Sequence, residues 1–151
     1  MEHYTSIEES RKLVEARLDT RTADMFWATE INTVVPTPYV TDLGEGEYGV
    51  PCVESLPCWS VGALLMILPN RIALNGAVDN QHEAVLEITK GERMFTVEYV
   101  VHGWDNTVLF GQGSIRPISA LVGIIETLIE KGHIKQPEKY IIRKENNNVC
   151  K

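Results

Sequence analysis

The chain has no long hydrophobic run, no cluster of positive charge, few cysteines and none of the short motifs that announce common chemistries. Its longest apolar stretch, Val61 to Leu68, includes a glycine. That is far short of the roughly 20 residues a helix needs to cross a bilayer, so no membrane association is expected. Lysines and arginines number 14 against 21 aspartates and glutamates, a formal net charge of −7. Gripping phosphates takes clustered cations, so nucleic acid is a disfavoured partner. The acidity favours solubility and would suit a basic surface on another protein.

The opening residues carry Glu2, Glu8 and Glu9 and lack the apolar core of a signal peptide, so no secretory signal is expected. Three cysteines, an odd number, then point to reduced thiols and a cytoplasmic address. There is no G-x-S-x-G, P-loop, dinucleotide fingerprint or H-E-x-x-H. No catalytic residue, metal or cofactor is assigned on this basis. An enzyme would have to assemble its site from scattered residues.

What is present describes an ordinary globular domain. The 151 residues are 44% apolar and 23% charged, enough to bury a sizeable core. A single α+β domain is expected over 1–134, with 135–151 as a C-terminal tail, partly flexible. Thr5 with Glu8 and Ser6 with Glu9 form two overlapping capping boxes. They predict a helix from Ile7 to Leu18 whose buried side holds Leu13, Val14 and Leu18. Ala23 to Trp27 reads as a second short helical turn, and Ile31 to Val35 as a short strand stopped by Pro36 and Pro38. Ser60 can cap a helix over Val61–Leu68, which is apolar on every side. Such a helix belongs between layers or at a subunit contact, as a central post.

Alternation of period two follows, through Ile72, Leu74, Gly76 and Val78, then Ala84, Leu86 and Ile88, then Phe95, Val97, Tyr99 and Val101, and last Thr107 to Gly111. This pattern predicts an antiparallel meander of about four strands. A closing helix from Pro117 to Lys131 shows an amphipathic stripe of Ile118, Leu121, Val122, Ile125, Leu128 and Ile129, with Gly132 as its stop. Arg116 is a poor cap, and Ser114 offers another start. Tyr140 to Ile142 could add a strand. The fold class is thus α+β, a four-stranded antiparallel sheet packed by N-terminal, central and C-terminal helices.

Three constellations invite a chemical reading. Cys52 and Cys58 are separated by five residues, wider than common zinc knuckles, and His82, His102 and His133 are not paired at ligand spacing. Their neighbours Glu54, Leu56 and Trp59 do not activate a thiol. The stretch is read as a loop leading into a core helix. Asp42, Glu45 and Glu47 lack the fixed ligand positions of an EF-hand and read as a solvated acidic loop. His102, Trp104 and Asp105 close a strand with an imidazole, an indole and a carboxylate. They read either as a hairpin end with Trp104 packed across it or as a partner-binding site, since tryptophan is favoured as an interface anchor.

Thr22-Ala-Asp-Met-Phe-Trp27, Pro57-Cys-Trp-Ser-Val-Gly-Ala-Leu-Leu65 and the late Pro117-Ile-Ser-Ala120 helix resemble a group of short proteins of gut anaerobic bacteria, often carried on prophages or mobile elements. The resemblance runs from Ser6 to Ile134 and is most specific in the Trp59-Ser60 block. The strand region here is longer, and the tail beyond Ile134 is extra. The resemblance implies an origin and an address, and no activity or catalytic residue.

The leading expectation is therefore a small non-enzymatic factor that binds a host or phage protein. One alternative is a small-ligand binder or enzyme with a pocket between sheet and helices near His102, Trp104 and Asp105. Another is a homo-oligomeric structural protein.

Overall fold

The computed structural model describes residues 3–28, 32–36, 55–74 and 83–137. Among them are helices α1 (Ile7–Glu15), α2 (Val61–Ile67) and α3 (Pro117–Glu130). The strands are β1 (Met25–Ala28), β2 (Thr33–Pro36), β3 (Ser55–Cys58), β4 (Arg71–Ala73), β5 (Glu83–Lys90), β6 (Phe95–Val101) and β7 (Thr107–Ser114). They form two antiparallel sheets, β2-β1-β3 and β4-β5-β6-β7, so the chain is α+β. The second sheet is the four-stranded meander the alternation predicts. The acidic loop with Asp42, Glu45 and Glu47, together with Cys52, His82 and the Tyr140–Ile142 tail, lies outside the described residues.

Helix α1 starts at the second of the two capping boxes. Ser6 Oγ accepts from Glu9 N–H at 3.2 Å, while Glu9 Oε2 accepts from Ser6 N–H at 2.9 Å. The helix stops earlier than Leu18 because Arg17 turns left-handed, with φ 63°. Arg17 N–H then bonds Val14 O and Leu18 N–H bonds Leu13 O, a Schellman ending that folds Leu18 back onto buried Leu13. The same ending closes α3, where Gly132 takes φ 78° and His133 N–H reaches Leu128 O. Glycine bears that conformation without strain; arginine does not.

The segment Ala23–Trp27 is not helical. Asp19 Oδ1 caps a single 3₁₀ turn, Thr20–Thr22, and the chain then extends as β1. Met25 pairs with Cys58 and Trp27 with Leu56, so part of the expected loop before the central helix is strand β3. The pairing spans about thirty residues of chain, and no local periodicity could announce it.

Helix α2 is capped by Ser60 as expected, with Ala63 N–H donating to Ser60 Oγ at 3.1 Å. It is not buried all round. Leu64 is fully enclosed, yet Met66 is 87% exposed and Leu65 partly so. The helix lies along α3 with one face in the core, and is no post between layers.

Helix α3 lies over β6 and β7 and contributes Ile118, Leu121, Ile124, Ile125 and Leu128 to one core with Ile72, Ala84, Val97 and Tyr99. Each large side chain buried there contributes about 1.5–3 kcal/mol before chain entropy is counted. Arg116 makes no capping bond, whereas Ser114 Oγ accepts from Arg116 N–H at 3.2 Å from the end of β7. The register of the sheet puts Val85, Val100 and Val108 in one row on the opposite face. It skips Leu109 between the pairs Val100–Val108 and Tyr99–Phe110, a β-bulge in β7.

Candidate functional site

The turn between β6 and β7 carries His102, Trp104 and Asp105, and the structure places all three in the open. Trp104 is fully exposed, with no packing across the hairpin. That corrects the expectation of an indole folded over the strands. Asp105 contributes its backbone carbonyl, which accepts from Thr107 Oγ1 at 3.4 Å. His102 turns to the sheet, its Nε2 2.8 Å from Glu87 Oε1. Thus the imidazole's carboxylate neighbour is Glu87, on the adjacent strand, rather than Asp105.

Strand alternation explains the contact. Val85 opposes Val100 and Glu87 opposes Glu98, all on the face away from α3. His102 follows Val100 by two residues and Glu87 follows Val85 by two, so their contact crosses above the two valines. That bridge helps bury Val100, which is only 5% exposed on an otherwise wet face. It also gives Glu87, directly opposed to Glu98, a hydrogen-bonding partner. The period-two pattern put Glu87 on the solvent side; its partnership with His102 depends on register, which the sequence does not display.

A concave surface lies elsewhere among the described residues. A cavity of about 530 Å³ opens between the 3₁₀ turn, α2 and the segment after α3, lined by Leu18, Thr22, Ala63, Met66, Ile67 and Ile134 among others. Its two carboxylates are already engaged. Asp24 accepts from Ser60 N–H at 2.8 Å and from the Ser60 hydroxyl. Asp19 is held by the Arg21 guanidinium at 2.7 Å, which together with the turn's N–H keeps its carboxyl below the usual range despite partial burial. The cavity thus has largely apolar walls with Lys135 also in its lining, and none of His102, Trp104 and Asp105 lines it.

Cys58 is enclosed beneath β3. Its Sγ contacts Thr5 O at 3.5 Å, and burial, with Asp24 nearby, pushes the thiol up to about 11. Such a thiol is neither nucleophile nor ready ligand at neutral pH. Thr5 is the hub of this buried corner. Its Oγ1 lies 2.7 Å from Ser10 Oγ and accepts from Trp59 N–H at 3.0 Å, while its carbonyl accepts from Trp27 Nε1 at 2.9 Å. Among the described residues no three His, Cys, Asp or Glu side chains converge to hold a metal ion. No helix among them is long and apolar enough to cross a membrane.

No protein-family model, curated protein or solved structure matches the chain. The β6–β7 turn is convex, with Trp104 fully exposed, so the hairpin tip presents a bare indole to solvent.

Proposed function

We propose that this chain is a small non-enzymatic protein-binding factor of phage or mobile-element origin. It engages a host or phage protein through the His102–Asn106 turn, with Trp104 as the anchor. The observation that supports this reading is Trp104, wholly exposed at the tip of the β6–β7 hairpin. An indole left in water forgoes a large burial gain, which a pocket on another protein recovers; tryptophan is correspondingly enriched among binding hot spots. Asp105 in the turn and the opposed Glu87 and Glu98 on the same sheet, in a chain of net charge −7, favour a partner with a basic rim.

The test is capture from lysate of the native host, with the tagged chain compared against Trp104→Ala and Met66→Ala. One protein retained near stoichiometrically by the wild type and by Met66→Ala, and lost with Trp104→Ala, supports the reading. Equal capture by all three would remove Trp104 from the account.

A further inference from the structure

Strand β7 is the last strand of the four-stranded sheet, and β6 is its only paired neighbour among the described residues. Edge strands normally carry a charge, a proline or a cover that blocks pairing with other chains. Here Asn106 to Ile115 is a run of ten residues without charge or proline, in a chain that is 23% charged. The bulge at Leu109 leaves Phe110–Ser114 as a regular stretch. Three of the exposed large apolar side chains sit on or beside this strand: Trp104, Val108 at 49% and Ile115 at 86%. Gly111 and Gly113 put no side chain on its outer face, and the half-exposed Met94 lies close over Gly113.

The two residues that bound the uncharged run have opposite signs, Asp105 before it and Arg116 after it. Arg116 also reaches the Glu9 carboxylate across 3.5 Å, which offsets part of its charge. Antiparallel pairing of two such strands brings each Asp105 end toward the other's Arg116 end, whereas parallel pairing would set like beside like. End charges thus favour the antiparallel orientation over the parallel one. Two acidic molecules repel over most of their surfaces and can meet through this neutral strip.

We infer that the β7 edge is the pairing surface for a second copy of this chain, joining two four-stranded sheets into one of eight strands. Opposed residues of an antiparallel pair alternate between two hydrogen-bonding types, so a two-fold axis must pass through a residue facing its own copy. The regular stretch Phe110–Ser114 is centred on Gln112, which is that residue. Gly111 then faces Gly113 of the second copy, letting the backbones meet without a side chain between them. Because the bulge takes Leu109 out of register, Val108 is next in line and faces Ile115 of the second copy, so the two exposed apolar side chains meet. Trp104 lies beyond the paired strip at each end, so the inference goes past the proposed partner binding and does not depend on it. The dimer would present two tryptophan hairpins at opposite ends of a continuous sheet.

The experiment is sedimentation velocity of the full chain across a dilution series, with Ile115→Lys, Val108→Lys, Trp104→Ala and Met66→Lys alongside, each checked for native circular dichroism. The wild type is expected to dimerise reversibly. Either edge lysine, introduced twice by symmetry, should raise the dimer dissociation constant at least about tenfold through desolvated charge. Met66→Lys, on the exposed side of α2, and Trp104→Ala should leave the dimer intact. Hydrogen exchange should slow at the amides of 110–114 as concentration rises. A wild type that stays monomeric throughout would overturn the inference, as would a dimer that survives both edge lysines or is lost with Met66→Lys. Because Trp104→Ala spares the dimer and removes the captured partner, failure of one proposal is distinguishable from failure of the other.

Discussion

Ser119 Oγ donates to Glu9 Oε1 across 2.8 Å, tying the first turn of α3 to the first turn of α1 over 110 residues of chain. The same carboxylate caps its own helix through Ser6 N–H and faces Arg116. Glu9 is almost fully buried, and burial alone would raise its pKa. The bonds from Ser6 and Ser119 and the charge of Arg116 outweigh that and hold the carboxyl below the ordinary value of 4.5.

A depressed folded pKa makes the stabilisation from Glu9 complete above the unfolded value. It declines as pH falls from about 4.5 through the lowered folded pKa. Glu9→Gln should therefore flatten the acid limb of a stability-against-pH curve measured by urea unfolding. Glu9→Ala should cost roughly 1–3 kcal/mol at neutral pH, by leaving buried donors unmatched.

Thr5→Val keeps the shape of the side chain and removes the hydroxyl that accepts from Trp59 N–H and meets Ser10 Oγ. With those groups buried, the expected loss is about 1–3 kcal/mol in denaturant unfolding. Thr5→Ser, which keeps the oxygen, should lose less.

Arg17 holds a left-handed conformation on an exposed helix end. Arg17→Gly relieves its steric strain at the expense of a more flexible unfolded chain. The net expectation is a gain of about 0.5–1 kcal/mol in thermal or chemical unfolding. A loss of stability would mean that the arginine stem packs on Leu13 or Leu18 more than its exposure indicates.

Cys58 should resist alkylation at pH 7–8 in the folded protein and react only when denaturant is added. Peptide mass mapping after a brief iodoacetamide pulse reads this directly. Rapid labelling of Cys58 without denaturant would contradict its enclosure and its raised pKa.

The elements legible in the sequence are those whose signal is local. Ser6 and Glu9 announce α1, the stripe from Ile118 to Ile129 announces α3, and alternation from Ala84 to Gly111 announces the meander. Of the three-stranded sheet only β2, Thr33–Pro36, was foreshadowed, by the short strand expected over Ile31–Val35. Strands β1 and β3 were illegible because Met25–Ala28 has no alternation and finds its partner at Ser55–Cys58, far along the chain. The exposure of Met66 was hidden because an all-apolar helix has no face that composition can single out. At the hairpin, the sequence identified His102, Trp104 and Asp105 as a group. Their different roles emerge only from register, which turns His102 to Glu87 and leaves Trp104 bare.

The central claim is that the exposed hairpin contacts another protein. The most direct measurement is site-specific photo-crosslinking in the native host, with benzoyl-phenylalanine in place of Asn106, beside Trp104, and at Met66 as a comparison. The account predicts one discrete adduct with a different protein from position 106 and none from position 66. Adducts confined to position 66, or an empty lane at 106 with the chain expressed and folded, would contradict it.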